Sequence, residues 1–241
     1  YDAGPDMTRM RILDVGCGEG AHASYLSGRH DVVAIDISAE TVDFARKKYP
    51  GVDFRLMAAE KLEFPDDHFD RVEALDVLEH VDDLGRVLDE IRRVLKPSGE
   101  LRAAVPYWRS EQWLLKIRPS YFQDIHHVRV FEEDGLERIL SEKKFSLVKK
   151  RRTGFLQHVY HYYMFKRAHN RKTQLGIGSF RDHWSSRMLF IGMFLFDIEL
   201  FRTPLKYCPL WLMTLPIGLL INAIGNVSFP KSLSYVFRKD E

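Results

Sequence analysis

Residues 11–16 (Arg-Ile-Leu-Asp-Val-Gly) form a short apolar run ending in glycine, and residues 31–37 form a second run rich in β-branched side chains. Runs of this length predict strands buried in a parallel sheet. Residues 21–29 between them are helix-compatible. After the second run Ser38 is a good N-cap, and Thr41, Val42, Phe44 and Ala45 supply a helical stripe that ends at Pro50. The alternation continues with strands over 52–56 and 69–75, a helix over 84–95 with apolar positions at Leu84, Val87, Leu88, Ile91, Val94 and Leu95, and a strand over 99–105. Strands interleaved with helices predict an α/β fold, a doubly wound and mostly parallel sheet of seven strands. A further helix is predicted over 132–140, and two strands over 145–152 and 158–166, joined at Thr153-Gly154, predict an antiparallel edge hairpin.

Beyond Arg167 the pattern changes. Residues 188–201 are apolar except for Asp197 and Glu199, and the 24 residues 207–230 carry no charge. A bilayer span needs about 20 apolar residues, but Pro209, Pro216, Asn222 and Asn226 argue against a straight spanning helix. The expected organisation is a catalytic domain over 1–167 and a basic, apolar, helical appendage over 168–241.

Charge sharpens this division. The net charge of the 241 residues is +2, yet residues 1–148 hold 21 Lys+Arg against 29 Asp+Glu, while 149–241 hold 15 against 5. Basic residues beside apolar helices are attracted to anionic headgroups at about 1 kcal/mol per charge. Peripheral membrane contact through 187–230, at the cytoplasmic membrane face, is the expectation. Packing of the same residues as a lid or dimer interface is the competing reading. Nucleic acid is not expected as a partner, because uncharged apolar runs do nothing for phosphate binding. Two cysteines, Cys17 and Cys208, supply neither a disulfide framework nor a zinc quartet, so no metal site is expected. The chain opens on Tyr1 rather than Met, as a trimmed or processed chain would.

The strongest local chemistry lies at Asp14-Val-Gly16-Cys-Gly18-Glu-Gly20, after a strand and before a helix. Glycines let the backbone turn tightly and approach a ligand, and the helix N-terminus adds positive partial charge. Asp36 ends the second strand, where an acidic side chain in a doubly wound sheet can accept both hydroxyls of a ribose. A dinucleotide site carries G-x-G-x-x-G; this turn is G-x-G-x-G, without the glycine that serves a pyrophosphate.

Six segments in order now resemble a known family: Ile12-Leu-Asp-Val-Gly-Cys-Gly-Glu-Gly20, Val33-Ala-Ile-Asp36-Ile-Ser, Ala59-Glu60-Lys-Leu62-Glu-Phe64-Pro, Phe69-Asp70, Asp76-Val-Leu-Glu-His80-Val and Leu95-Lys-Pro-Ser-Gly99-Glu-Leu. Over roughly residues 11–165 the chain resembles the class I S-adenosylmethionine-dependent methyltransferases, in the group that includes ubiquinone and menaquinone biosynthesis enzymes. The resemblance implies S-adenosyl-L-methionine as cofactor. It implies that Gly16 and Gly18 pass under the methionine portion with Asp14 near its amino group, that Asp36 holds the ribose hydroxyls with Ile37 beside it, that Ala59 and Glu60 flank the adenine, and that Leu75 lines the pocket. The chain departs from the family at Ala58, where an aspartate often meets the adenine amino group.

The implied reaction is in-line displacement at a sulfonium methyl, to which alignment alone can contribute up to roughly 7–11 kcal/mol. If the acceptor must lose a proton, His126 and His127 are the candidate bases, with Asp76 and His80 behind them. Adjacent His126 and His127 point to opposite faces of an extended segment, so one of them at most faces the pocket. The aromatic-rich residues 105–121 follow the fifth strand and are placed to shape an acceptor pocket. The resulting expectation is a methyltransferase acting on a hydrophobic or lipid-linked small molecule. The alternatives are a soluble natural-product methyltransferase with a helical lid, and a cofactor-binding scaffold without catalysis.

Overall fold

The strand at 11–16 and the run at 31–37 lie side by side in the parallel part of the sheet. The structure, a computed structural model, describes residues 9–117, 119–153 and 232–240. β1 (Arg11–Val15), α1 (Ala21–Ser27), β2 (Asp31–Asp36), α2 (Ala39–Lys48), β3 (Asp53–Leu56) and β4 (Phe69–Leu75) alternate as the pattern predicts. α3 (Leu84–Val94), β5 (Leu95–Pro106), α4 (Trp108–Ile117), α5 (Tyr121–Ile125), α6 (Gly135–Glu142), β6 (Phe145–Thr153) and β7 (Ser232–Lys239) follow. β1 is buried at every residue but its first, as expected of a strand covered on both faces.

The seven strands run in the order β3-β2-β1-β4-β5-β7-β6. The first five are parallel and the edge strands are antiparallel. Strand order reverses between β1 and β4, the point at which an open α/β sheet gathers its ligands. There Ile12 pairs with Arg71 and Asp14 with Glu73, so two acidic side chains emerge from neighbouring strands on one face. Ile12, Ala34 and Phe54 on that face pack against Ala23 and Leu26 of α1 and Val42 and Ala45 of α2.

α2 and α3 begin at side-chain caps. The Ser38 hydroxyl accepts from the Thr41 amide at 3.3 Å and the Asp83 carboxylate from the Arg86 amide at 3.0 Å. α3 buries Val87, Leu88, Ile91 and Val94 completely, one stripe at helical spacing. β5 starts earlier than the expected residue 99, because Leu95 already pairs with Phe69. The Lys-Pro-Ser-Gly excursion is then taken as an irregularity, with Ser98 at φ 59°.

Of the predicted edge hairpin, β6 is present, while 158–166 lies outside the described residues. The strand beside β6 is β7, which comes from the region expected to form the appendage. Its Leu233, Tyr235 and Phe237 are buried at alternating positions, the mark of a strand with one face on the core. The expected boundary at 167/168 and the apolar stretches 188–201 and 207–230 lie outside the described residues. Among the described residues no helix is long and apolar enough to cross a membrane.

The chain divides into two compact units, one of Tyr1–Val105, His126–Arg151 and Ser234–Glu241, the other of Pro106–Ile125 and Arg152–Leu233. The first holds the sheet, α1, α2, α3 and α6. In the second, the aromatic-rich segment is helical as α4 and α5, with Tyr107, Ser110, Glu111 and Leu114 buried.

Candidate active site at the ends of β1, β2 and β4

The turn after β1 is built on three left-handed residues, Gly16, Gly18 and Gly20, at φ 67°, 51° and 82°. At Gly16 a Cβ would lie 2.4 Å from Cγ2 of Val77, and at Gly20 one would lie 2.5 Å from the Phe54 ring. Both side chains press on the turn, so glycine is required there by space as well as by backbone conformation. The Cys17 amide donates to the Ile35 carbonyl at 2.9 Å, tying the turn to β2. Burial pushes the Cys17 thiol up to about 12, helped by the Asp14 and Asp36 carboxylates, so this cysteine is an inert packing group.

Asp36 accepts from the Gly18 amide through Oδ2 and from the Ser38 amide through Oδ1, both at 2.9 Å. Two backbone donors thus fix the carboxylate at the end of β2. Beside it Ile37 is 76% exposed, a large apolar surface at the mouth of the strand and a suitable platform for a flat ring. The loop after β3 is held close by: the Met57 amide donates to the Asp36 carbonyl at 3.0 Å, and Arg86 Nε donates to the Glu60 carbonyl at 2.9 Å. Arg93 from α3 clamps the same loop through the carbonyls of Leu62 and Phe64. Ala59 and Glu60 are half-buried in this loop, and Leu75 is half-buried at the end of β4.

Asp14 is the most unusual group in the site. It is buried, its Oδ2 has no hydrogen-bond partner among the described residues, and burial pushes its carboxyl up to about 7 against the opposing pull of His22. A buried carboxylate without a donor is costly unless a cation completes it. Its neighbour Glu73 is the contrast. Burial would raise that carboxyl too, but a 2.9 Å bond from His22 and the charges of His22, Arg102 and Arg71 hold it below the usual range. Glu73 thus has a hydrogen bond from His22 and an ion pair with Arg71, whereas Asp14 Oδ2 has no hydrogen-bond partner among the described residues. The unpartnered carboxylate, the open backbone at Gly18 and the pinned Asp36 fit an ammonium group and a ribose in one extended ligand, as in S-adenosylmethionine.

A second cluster follows β4. Asp76 is exposed at φ 54°, with its amide donating to the Ala104 carbonyl at 3.0 Å. His80 donates from Nδ1 to the His126 carbonyl at 3.0 Å, and its ring lies 4.7 Å from that of His127 in an edge-to-face arrangement. Partial desolvation holds the exposed His80 imidazole below the usual histidine range, partly offset by the bond to His126. His126 stands at φ 57° with its side chain exposed, whereas the side chain of His127 is 7% exposed and turns Nε2 toward Glu79. The structure thus brings His80 and His127 together and leaves the side chain of His126 outside. Glu79, only 1% exposed, is the residue that reading of the sequence missed. It stood in a quoted motif, but only the packing of 127–129 over the turn makes it part of a site.

Comparison with known proteins agrees with this geometry. Residues 13–103 match the family described as "Methyltransferase domain". A demethylmenaquinone methyltransferase of Chlorobaculum parvum is 33% identical over 117 residues, 48% of each chain. A phosphatidylethanolamine N-methyltransferase of Cereibacter sphaeroides is 28% identical, over 58% of this chain and 72% of that protein. The O-methyltransferase rstn1 of Aspergillus nomiae is 37% identical, over 39% of this chain and 46% of that protein. The chain spans about half the length of most curated relatives it matches. The fold is shared with a crystal structure from Bacillus halodurans C-125 at a TM-score of 0.59 and 17% identity, covering 97% of this chain and 94% of that one. A Pyrococcus horikoshii OT3 structure gives a TM-score of 0.52 at 28% identity, covering 61% of this chain and 78% of that one. Motifs, sheet order and glycine turn agree with this match: residues 13–103 are similar to the methyltransferase domain family, and the sheet has the class I methyltransferase fold.

Proposed function

We propose that the protein transfers a methyl group from S-adenosylmethionine to a hydrophobic or lipid-linked small molecule. The observation that carries the reading is the set of groups around the glycine turn: Asp14 buried with Oδ2 unpartnered among the described residues, and Asp36 held by the amides of Gly18 and Ser38. The cofactor supplies a sulfonium-activated methyl group. Asp14 takes the ammonium end, Gly16 and Gly18 let the backbone lie under the methionine portion, Asp36 receives the ribose hydroxyls, and Ile37, Ala59 and Glu60 border the adenine. Leu75 forms the wall nearest the reacting end. These residues hold the electrophile in one orientation, which is the main contribution a methyltransferase needs from its protein. For an acceptor that must lose a proton, His80 is the group to receive it as long as no cation takes its Nε2 lone pair, since its Nδ1 proton is committed to the His126 carbonyl.

The acceptor class is supported by the composition of the chain. Ten Lys and Arg residues lie between Lys149 and Phe196 against one acidic residue, ahead of the uncharged 207–230. Two relatives are named as methyltransferases of demethylmenaquinone and of phosphatidylethanolamine, which supports a lipid-like acceptor. We place the protein at the cytoplasmic face of a membrane, reached through 187–230, with 1–167 as the catalytic part. The test is incubation of the purified chain with radiolabelled S-adenosylmethionine and a total lipid extract. Label in the organic phase is expected. Tight cofactor binding with no methylated product from lipid or polar extracts would mean a scaffold rather than an enzyme.

A further inference from the structure

Glu79, His80 and His127 place one ligand atom each within 4.8 Å of one another, and we infer that they form a site for a divalent cation of the zinc class. Two histidines and a carboxylate are a donor set that zinc takes at sites with an open fourth position. The separation of Glu79 Oε1 from His127 Nε2 is 4.0 Å. That is too long for a hydrogen bond. It is close to what two metal–ligand bonds of about 2.0–2.2 Å bridge, so a slight closure completes the triad.

The surroundings have the features of a ligating site. The Nδ1 proton of His80 goes to a backbone carbonyl, that of His126, which fixes the tautomer and orients Nε2 as the free donor. The two segments that carry the ligands are stitched together: the Val128 amide donates to the Glu79 carbonyl at 3.0 Å, and Arg129 donates to the carbonyls of Leu78 and Asp82, both at 2.8 Å. A three-ligand set on such a rigid frame needs little reorganisation to close on a cation.

The position is informative. Val77, two residues before Glu79, covers Gly16 of the cofactor turn. A cation held here stands near the reacting end and leaves coordination positions for an oxygen donor. A phenol, enol or alcohol is then the acceptor type; this last clause rests on the methyltransferase reading, whereas the metal site does not.

The experiment is titration of chelator-treated full-length protein with Co2+, read by its visible ligand-field absorption, with Zn2+ as competitor. The expected result is one Co2+ per chain in a low-symmetry four- or five-coordinate spectrum, displaced by Zn2+. His127→Gln and His80→Gln should each weaken binding more than about 100-fold. His80 is exposed, so its variant reports on the site even if a change at a buried ligand unfolds the protein. Absence of a stoichiometric Co2+ spectrum in the wild-type protein overturns the inference, as does unchanged Co2+ binding in the His80 and His127 variants. Calorimetry with S-adenosylmethionine on the same sample separates the two readings: Co2+ bound without cofactor binding keeps the metal site and sinks the methyltransferase, and the reverse result does the opposite.

Discussion

The Gly18 amide donates to Asp36 Oδ2 at 2.9 Å, so the glycine turn and the end of the second strand are joined through the carboxylate proposed to receive the ribose. Asp36→Ala removes the acceptor of two backbone donors together with the ribose contact. Hydrogen bonds to charged groups are worth about 1.5–3 kcal/mol. Cofactor affinity should fall roughly 10- to 100-fold by calorimetry, and an unchanged affinity would refute the assignment.

The contact of Val77 with the turn makes a paired prediction. Gly16→Ala should destabilise the fold by about 2–4 kcal/mol, from a left-handed backbone and a Cβ driven into Val77. The melting temperature should drop by roughly 5–15 °C. Adding Val77→Ala relieves the collision and leaves the backbone cost, so the double variant should melt between the two. A double variant no better than Gly16→Ala would show that the collision contributes nothing.

Asp14 ties cofactor binding to pH. Its carboxyl stands at about 7 in the folded chain against an ordinary 3.8, chiefly through burial. The folded state therefore keeps a proton that the unfolded chain has lost, and stability falls as pH rises from 3.8 to about 7, then levels off. An incoming ammonium group favours the ionised form. Cofactor affinity should accordingly rise between pH 5 and 7, by up to about tenfold per unit, with proton release in buffers of different ionisation enthalpy. Asp14→Asn should flatten the profile and be more stable than wild type at pH 8. A profile in the variant as steep as in wild type would remove Asp14 from the site.

For the membrane reading, the full chain should float with anionic vesicles and stay behind with neutral ones. Deletion of 187–230 should abolish flotation while cofactor affinity persists. Flotation that survives the deletion would place the attraction elsewhere.

The parts of the fold set by short-range pattern were legible in the sequence. β1 and β2 declare themselves by apolar runs, α2 by its Ser38 cap, and the glycine turn by its own spacing. What could not be read depends on distant partners. β7 reads as a few alternating residues, and only its place between β5 and β6 makes it an interior strand. Glu79 likewise sits in a motif whose chemistry appears only when Val128 pairs with it across the turn. The early start of β5 rests on Leu95 meeting Phe69, and neither residue signals this alone.

The position of β7 also has a temporal consequence. β6 ends at Thr153 and its sheet neighbour begins at Ser232, so 78 residues must be synthesised before that neighbour exists. Closing a loop of this length costs roughly 4 kcal/mol of chain entropy. On the ribosome the N-terminal half, with its local β-α-β contacts, is ready to fold first. The edge of the sheet waits with β5 unpaired on one side, a nascent state suited to capture by a chaperone.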